Sequence, residues 1–222
     1  LMNPGYSQTG GGRNTKKFRN LTKTPGYENR YLFLALPLFA FALPTQLPIG
    51  ADIPNADPPM KDVGGKEFTL KESVKKNGLL VMFSCNTCPY VRRNQQRTKE
   101  IAKLALSNEI GVILVNANAA ERDGDDSFEA MQRYAAEQGY QWPYVVDEKN
   151  RLADVFGATR TPENYLFNKE GKLVYRGAID DNPDESTVTR KHLRIAIEEM
   201  LAGKEVSVNT TRSVGCGIKR IR

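Results

Sequence analysis

The stretch Leu79-Leu80-Val81-Met82-Phe83-Ser84-Cys85-Asn86-Thr87-Cys88-Pro89-Tyr90-Val91, "LLVMFSCNTCPYV", runs a continuous apolar segment straight into two cysteines three residues apart. Leu79 to Ser84 shows little alternation, which is the pattern of a strand buried on both faces. From Pro89 to Leu106 the residues favour helix, with Ile101, Leu104 and Ala105 as apolar positions, and proline suits a first helical turn. Gly111 to Asn116, "GVILVN", reads as a second buried strand. Strand, helix and strand of these lengths predict a parallel crossover unit. Its first strand delivers the cysteines at its carboxyl end, where open α/β sheets receive their ligands.

The flanking sequence extends this unit. Met60 to Leu70, centred on Gly64-Gly65, predicts a short β-hairpin. Asp126 with Glu129 three residues later reads as a helix cap and its reciprocal partner, followed by Phe128, Met131, Tyr134 and Ala135 on one face and a stop at Gly139. Pro143 to Val146 reads as a strand and Lys149 to Phe156 as a short helix. Tyr165–Phe167 and Leu173–Tyr175, joined through a loop containing Gly171, predict an antiparallel hairpin. A last helix is expected over Thr187 to Ala202, ended by Gly203. These elements divide the chain into a basic leader with signal peptide (1–42), an irregular proline-rich lead-in (43–59), a main domain (60–203) and a tail (204–222).

The net charge of +6 is unevenly placed, because residues 1–42 carry six basic groups and one acid. The main body is therefore nearly neutral, which argues against nucleic acid as a partner. The leader runs into Tyr31–Leu43, thirteen apolar residues with a proline inside, whereas a spanning helix needs roughly 20. Basic segment, short apolar run and Ala40-Phe41-Ala42 together predict an export signal cleaved after Ala42. The protein is thus expected in the periplasm or secreted, touching a membrane only through an uncleaved leader. In such an oxidising compartment a cysteine pair is held as a disulfide until a partner reduces it.

A dithiol redox centre needs an acidic attacking thiol, a resolving thiol and a place to hold the substrate backbone. Cys85, read as standing at a helix N-terminus, is the expected thiolate. Cys88 is the expected resolving thiol, one turn away. Thr161-Pro162 would supply the third element if its peptide bond were cis, leaving a strand edge beside the sulfurs.

"FSCNTCPYV" after a buried strand, "TP" before "ENYLFNKEGKLVYRG", and the tail "SVGCGIK" together resemble the thioredoxin-like redoxins, in the peroxiredoxin-like subgroup of the alkyl hydroperoxide reductase and thiol-specific antioxidant superfamily. The resemblance covers Leu47 to Lys219. It implies an α/β thioredoxin fold, with a mixed central sheet, helices on both faces and an N-terminal β-hairpin. It also implies Cys85 as the redox cysteine and Pro162 as the cis proline facing it. The partners implied are a protein or small-molecule disulfide substrate and a thiol electron donor such as a thioredoxin-like reductant; no cofactor or metal is called for. Two features depart from the family pattern. Peroxiredoxins proper carry P-x-x-x-T/S-x-x-C, but counting back three and seven from Cys85 gives Met82 and Gly78, and from Cys88 gives Cys85 and Val81. A dedicated peroxidase site is not expected, although slow peroxide reduction by a low-pKa thiolate is compatible with the sequence. Thioredoxins place an aspartate six residues before the first cysteine, and here that residue is Leu79, so the proton acceptor for Cys88 is unassigned.

Two other readings compete. The cysteine pair is inert in one, a structural disulfide of a binding module. In the other, Cys85, Cys88, Cys216 and His192 hold zinc, although His192 and Cys216 lack the close spacing of structural zinc ligands. His192 otherwise reads as a helix-surface residue. Cys216 reads foremost as a buried free thiol, then as an intermolecular disulfide partner or a third redox cysteine, the last gaining weight if the tail folds back over the cysteine pair. Asn116 and Asn118 either line the same cleft or cap a turn, and Arg92 and Arg93 read as solvated surface charges.

Overall fold

The computed structural model describes residues 46–55 and 59–221. The basic leader, the apolar run and the expected cleavage point at Ala42 lie outside the described residues. Among those residues no helix is long and apolar enough to cross a membrane.

The expected hairpin forms from β1 (Met60–Lys61) and β2 (Glu67–Phe68), paired antiparallel as Met60 with Phe68. After α1 (Leu70–Ser73), the two apolar runs become β3 (Leu79–Ser84) and β4 (Gly111–Asn116), parallel and in register from Leu79 opposite Gly111 to Ser84 opposite Asn116. Between them the single expected helix is two, α2 (Pro89–Arg93) and α3 (Gln95–Ser107). The break falls at Asn94, whose side-chain amide donates to the Tyr90 carbonyl at 2.8 Å, and a side chain that bonds the backbone locally competes with the helical ladder.

The remaining elements are α4 (Phe128–Gln138), β5 (Tyr144–Val146), α5 (Arg151–Phe156), β6 (Arg160–Thr161), β7 (Glu163–Phe167), β8 (Leu173–Gly177), α6 (His192–Leu201) and β9 (Cys216–Gly217). The central sheet has the order β5-β4-β3-β7-β8, with β3, β4 and β5 parallel, β7 antiparallel to β3, and β8 antiparallel to β7. The fold is the expected thioredoxin fold. Alternation along β3 separates two apolar layers. Leu80 and Met82 face Ile101, Met131 and Leu193 on one side, while Leu79, Val81 and Phe83 face Leu152, Phe156 and Tyr165 on the other. Helices therefore cover both faces, and the sheet's parallel carboxyl ends all open on one rim.

Two expected boundaries move. The cap of α4 is Ser127, whose hydroxyl accepts the Ala130 amide at 3.3 Å, and not Asp126. The α4 stop at Gly139 holds, with φ 66° in the left-handed region that glycine adopts freely. The final helix starts at His192 and not at Thr187, because Asp184 instead caps a 3-10 turn over Glu185–Thr187. The described residues 46–55 of the lead-in form no strand element but are bound to the domain: the Leu47 amide donates to Phe156 O at 2.9 Å, and the Ile53 amide to Gly171 O at 2.9 Å.

Candidate active site

β3 ends at Ser84, and the chain leaves the sheet through Cys85-Asn86-Thr87-Cys88 before α2 begins. Both cysteines are almost wholly covered, Cys85 at 1 % and Cys88 at 3 % exposure. Thr161 meets both. Its hydroxyl lies 3.4 Å from Cys85 Sγ, and its carbonyl oxygen lies 3.3 Å from Cys88 Sγ. The peptide bond from Thr161 to Pro162 is cis. The structure thus brings together the four residues singled out in the sequence.

The order of the thiols differs from the sequence expectation. Cys88, not Cys85, is the N-cap residue of α2, directly before Pro89. The Cys85 thiol hydrogen-bonds to Cys88, and this contact, aided by the Cys216 thiol and by the amides of Val91 and Cys216, draws the Cys88 thiol down to about 4. That same bond pushes Cys85 up, with burial and the nearby Asp126 charge adding to the rise. Burial, together with the bond to Cys88, pushes Cys216 up to about 11. As a thiol Cys88 donates to Thr161 O; ionised, it is the charge that the two flanking thiols solvate. These contacts favour the lower thiol at Cys88 and the higher at Cys85.

The loop between the cysteines is held by a polar network that the sequence did not reveal. Asp126 is fully buried, at 0 % exposure. Its carboxylate accepts the Asn86 amide, Asn116 Nδ2 and Asn118 Nδ2, each at 2.8 Å. Tyr144 donates its hydroxyl to Asn86 Oδ1 at 2.9 Å, and Arg92 Nε donates to Asn86 O at 3.0 Å. Asn116 and Asn118 therefore do more than cap a turn, and Arg92, though exposed, is anchored. Burial raises Tyr144 well above its ordinary value, so it stays a neutral donor. A buried carboxylate is stable only with such donors around it. The signal available in the sequence is the run of Asn116 at the end of β4 with Asn118 and Asp126 just past it.

On the other wall, Glu163 at 2 % exposure accepts the amides of Thr159 at 2.8 Å and Arg160 at 3.1 Å, and Gln46 Nε2 at 2.8 Å. This fixes β6, the short strand carrying Thr161. Beside Pro162 opens a cleft of about 280 Å³, whose lining includes Asn94, Asp180, His192, Arg212 and Val214. His192 is half-buried, with an unpartnered Nδ1, and so is not simply a surface residue. Among the described residues no group of three or more His, Cys, Asp or Glu side chains is arranged to hold a metal ion.

The tail departs most from expectation. Cys216 is half-buried, and its Sγ lies 2.6 Å from Cys88 Sγ. It arrives there on β9, paired antiparallel with β6, Thr161 opposite Cys216. The foremost sequence reading, a buried free thiol, holds in part: Cys216 is a free thiol but only half-buried, and the tail folds back over the cysteine pair.

Residues 48–192, more than half of the chain, match the family model for Redoxin. The chain is 31 % identical to an uncharacterised conserved protein from Geobacillus kaustophilus of known structure, covering 80 % of this chain and 94 % of that one with a TM-score of 0.74. It is 30 % identical to a hypothetical protein from Sinorhizobium meliloti 1021, covering 80 % and 97 %, with a TM-score of 0.70. It is also 24 % identical, over 52 % of its length, to the thiol-disulfide oxidoreductase ResA of Halalkalibacterium halodurans, and spans 61 % of that relative.

Proposed function

We propose that the chain, which belongs to the redoxin family, is a thiol-disulfide oxidoreductase working through Cys85 and Cys88. The observation that carries this reading is the convergence of both sulfurs on Thr161, the residue before cis Pro162, with a stabilised thiolate at Cys88. An inert staple needs no such environment, whereas a nucleophilic thiol does.

In the forward reaction the Cys88 thiolate attacks one sulfur of a disulfide R–S–S–R′, forming a Cys88–R mixed disulfide and expelling R′S⁻. Cys85 then gives up its proton and attacks Cys88 Sγ. RS⁻ leaves and takes that proton, and the Cys85–Cys88 disulfide remains. An external dithiol closes the cycle by reducing that bond. Thr161 orients Cys85 through its hydroxyl, and the substrate chain lies in the cleft beside Pro162. Asp126 and its asparagines are positioning residues that keep Asn86, and hence the spacing of the two sulfurs, fixed.

The Cys88 thiolate also supports slow peroxide reduction: attack on hydrogen peroxide gives the sulfenic acid and hydroxide, and Cys85 then forms the disulfide with loss of water. The absence of the P-x-x-x-T/S-x-x-C pattern around either cysteine argues that disulfide exchange, not peroxide reduction, is the main activity. The basic leader and the Tyr31–Leu43 apolar run support export. Protein disulfides and a thioredoxin-like donor are accordingly the proposed partners.

Reduction of insulin disulfides by dithiothreitol tests the assignment. Turnover is expected to vanish in Cys88→Ser and to stall at the mixed disulfide in Cys85→Ser/Cys216→Ser, which lacks both neighbouring thiols. Full turnover in either variant overturns it. Mass measurement of the mature protein from cell fractions tests the export reading, which predicts an N-terminus at Leu43.

A further inference from the structure

The tail is built into the site by contacts on both sides of Cys216. Upstream, the Thr211 amide donates to Arg176 O at 3.0 Å, and Thr211 Oγ1 accepts the Ala178 amide at 3.0 Å. Downstream, the Ile218 amide donates to Thr159 O at 3.0 Å, the Lys219 amide to Asn118 Oδ1 at 2.9 Å, and the Ile218 side chain is buried in the apolar layer of β3. At Gly215 the approach is so close that a Cβ would stand 2.1 Å from Thr161 O and 2.7 Å from Thr161 C. Only glycine lets the tail lie here. Arg160 adds a hydrogen bond to Gly215 O at 2.9 Å. The result is a strand on the Arg160–Thr161 edge that carries its own cysteine to Cys88, the position a bound disulfide substrate would take.

We propose that Cys216 is a third redox cysteine, which exchanges with Cys88 so that oxidation passes between a Cys85–Cys88 and a Cys88–Cys216 disulfide and electrons enter through the tail. The proposal rests on the assignment of Cys88 as nucleophile. When Cys88 is in a mixed disulfide, Cys216 loses its proton and attacks Cys88 Sγ; RS⁻ leaves with that proton, and a Cys88–Cys216 bond forms. Cys85 can then attack Cys88 Sγ, breaking that bond and returning the proton to Cys216, with no net oxidation. Cys85 and Cys88 are covered, while Cys216 is only half-buried. An external dithiol therefore meets Cys216 first: it attacks Cys216 Sγ, expels the Cys88 thiolate, and a second attack within the dithiol frees Cys216 and leaves the donor as a disulfide.

The full chain, reduced and then exposed to oxidised glutathione, quenched with acid and mapped by mass spectrometry, tests this. Cys85→Ser is expected to hold a single intramolecular Cys88–Cys216 link. A tethered thiol has an effective concentration of about millimolar or more, so this link should exceed the glutathione adduct at Cys88 roughly 100-fold when free glutathione is about ten micromolar. Gly215→Ala in the Cys85→Ser background should lower that ratio at least tenfold, and Cys85→Ser/Cys216→Ser should retain glutathione on Cys88. In wild-type protein, Cys216→Ser should slow the reductive step with an external dithiol tenfold or more. Persistence of the glutathione adduct in Cys85→Ser, or a dimer linked through Cys216, overturns the proposal while leaving the oxidoreductase reading intact, provided wild-type protein forms Cys85–Cys88 and reduces insulin. If wild-type protein does neither, the underlying assignment fails as well.

Discussion

The Asn86 amide, lying between Cys85 and Cys88, donates to the buried Asp126 carboxylate at 2.8 Å. This bond ties the loop that sets the sulfur spacing to a carboxylate 40 residues away, and the same carboxylate stands close enough to Cys85 to oppose its ionisation. Fold and chemistry therefore share one residue.

Asp126→Ala strands three donors in a buried site. Leaving buried polar groups unpaired costs about 3 kcal/mol in total at the low end, which in a domain of this size lowers Tm by roughly 6–12 °C. Asp126→Asn removes the charge but turns an amide N–H₂ toward other donors, so it too should lose stability. Its Cys85 thiol should ionise more readily than in wild-type protein, since the like charge is gone. Thermal melts and thiol titrations check both; an unchanged Tm in the alanine variant contradicts the network.

Ultraviolet absorbance of the reduced protein reports thiolate without requiring a reagent to reach Cys88. With Cys88 drawn down to about 4, one thiolate is expected to be present throughout pH 5–8, where ordinary thiols near 8.5 are mostly protonated. Cys85→Ala deletes the largest cause of the depression, so the Cys88 titration should move up toward the ordinary range. Cys216→Ser should move it less, because its hydrogen bond is the smaller contributor. A titration that follows Cys85 instead of Cys88 would reverse the roles assigned to the two cysteines.

The same ionisation sets a redox prediction. At pH 7 ordinary thiols are protonated, so raising Cys85 has little effect on the reduced state, while lowering Cys88 stabilises it. A stabilised reduced form makes the disulfide more oxidising, so the Cys85–Cys88 pair should lie above the thioredoxin value of about −270 mV. Above the depressed Cys88 value only one proton accompanies the two electrons. The potential should fall by about 30 mV per pH unit and not about 60. Equilibration with glutathione at several pH values measures both quantities.

The parts that could be read from the chain, and the parts that could not, divide on physical grounds. β3 and β4 were placed to the residue because continuous apolar runs bounded by Gly78, Gly111 and the cysteines leave no other burial scheme. Cys85 and Cys88 are legible as a pair at the end of a buried strand, whereas the place of Thr161-Pro162 beside them is what the family resemblance implies. Asp126 reads as a helix cap in the sequence because Asp-x-x-Glu is a local pattern, while its partners Asn86, Asn116 and Asn118 are assembled only by the sheet. The sequence places Cys85 at a helix start, whereas α2 begins at Pro89, four residues after Cys85, with Cys88 as its N-cap. The docking of "SVGCGIK" on β6 joins residues 55 positions apart through backbone pairing, which leaves no periodic trace.

Glu163 offers a test of whether the β6 edge must be rigid for exchange. One of its oxygens accepts the amides of Thr159 and Arg160; the other accepts Gln46 Nε2 and the Tyr165 hydroxyl at 3.3 Å. Glu163→Gln keeps the shape but can satisfy only one of these pairs, since its amide nitrogen would face donors. Each charge-assisted bond contributes about 1.5–3 kcal/mol, so hydrogen exchange at Thr159 and Arg160 should accelerate roughly 10- to 150-fold. A loosened edge holds both the tail and an incoming substrate chain less well while leaving the sulfurs chemically unchanged. The expected kinetic signature is therefore a raised KM for a peptide disulfide with kcat nearly preserved, together with an unaltered Cys88 titration. Unchanged exchange at the two amides would show that the tail pairing alone fixes the strand, and a loss confined to kcat would place Glu163 in the chemistry instead of in the edge.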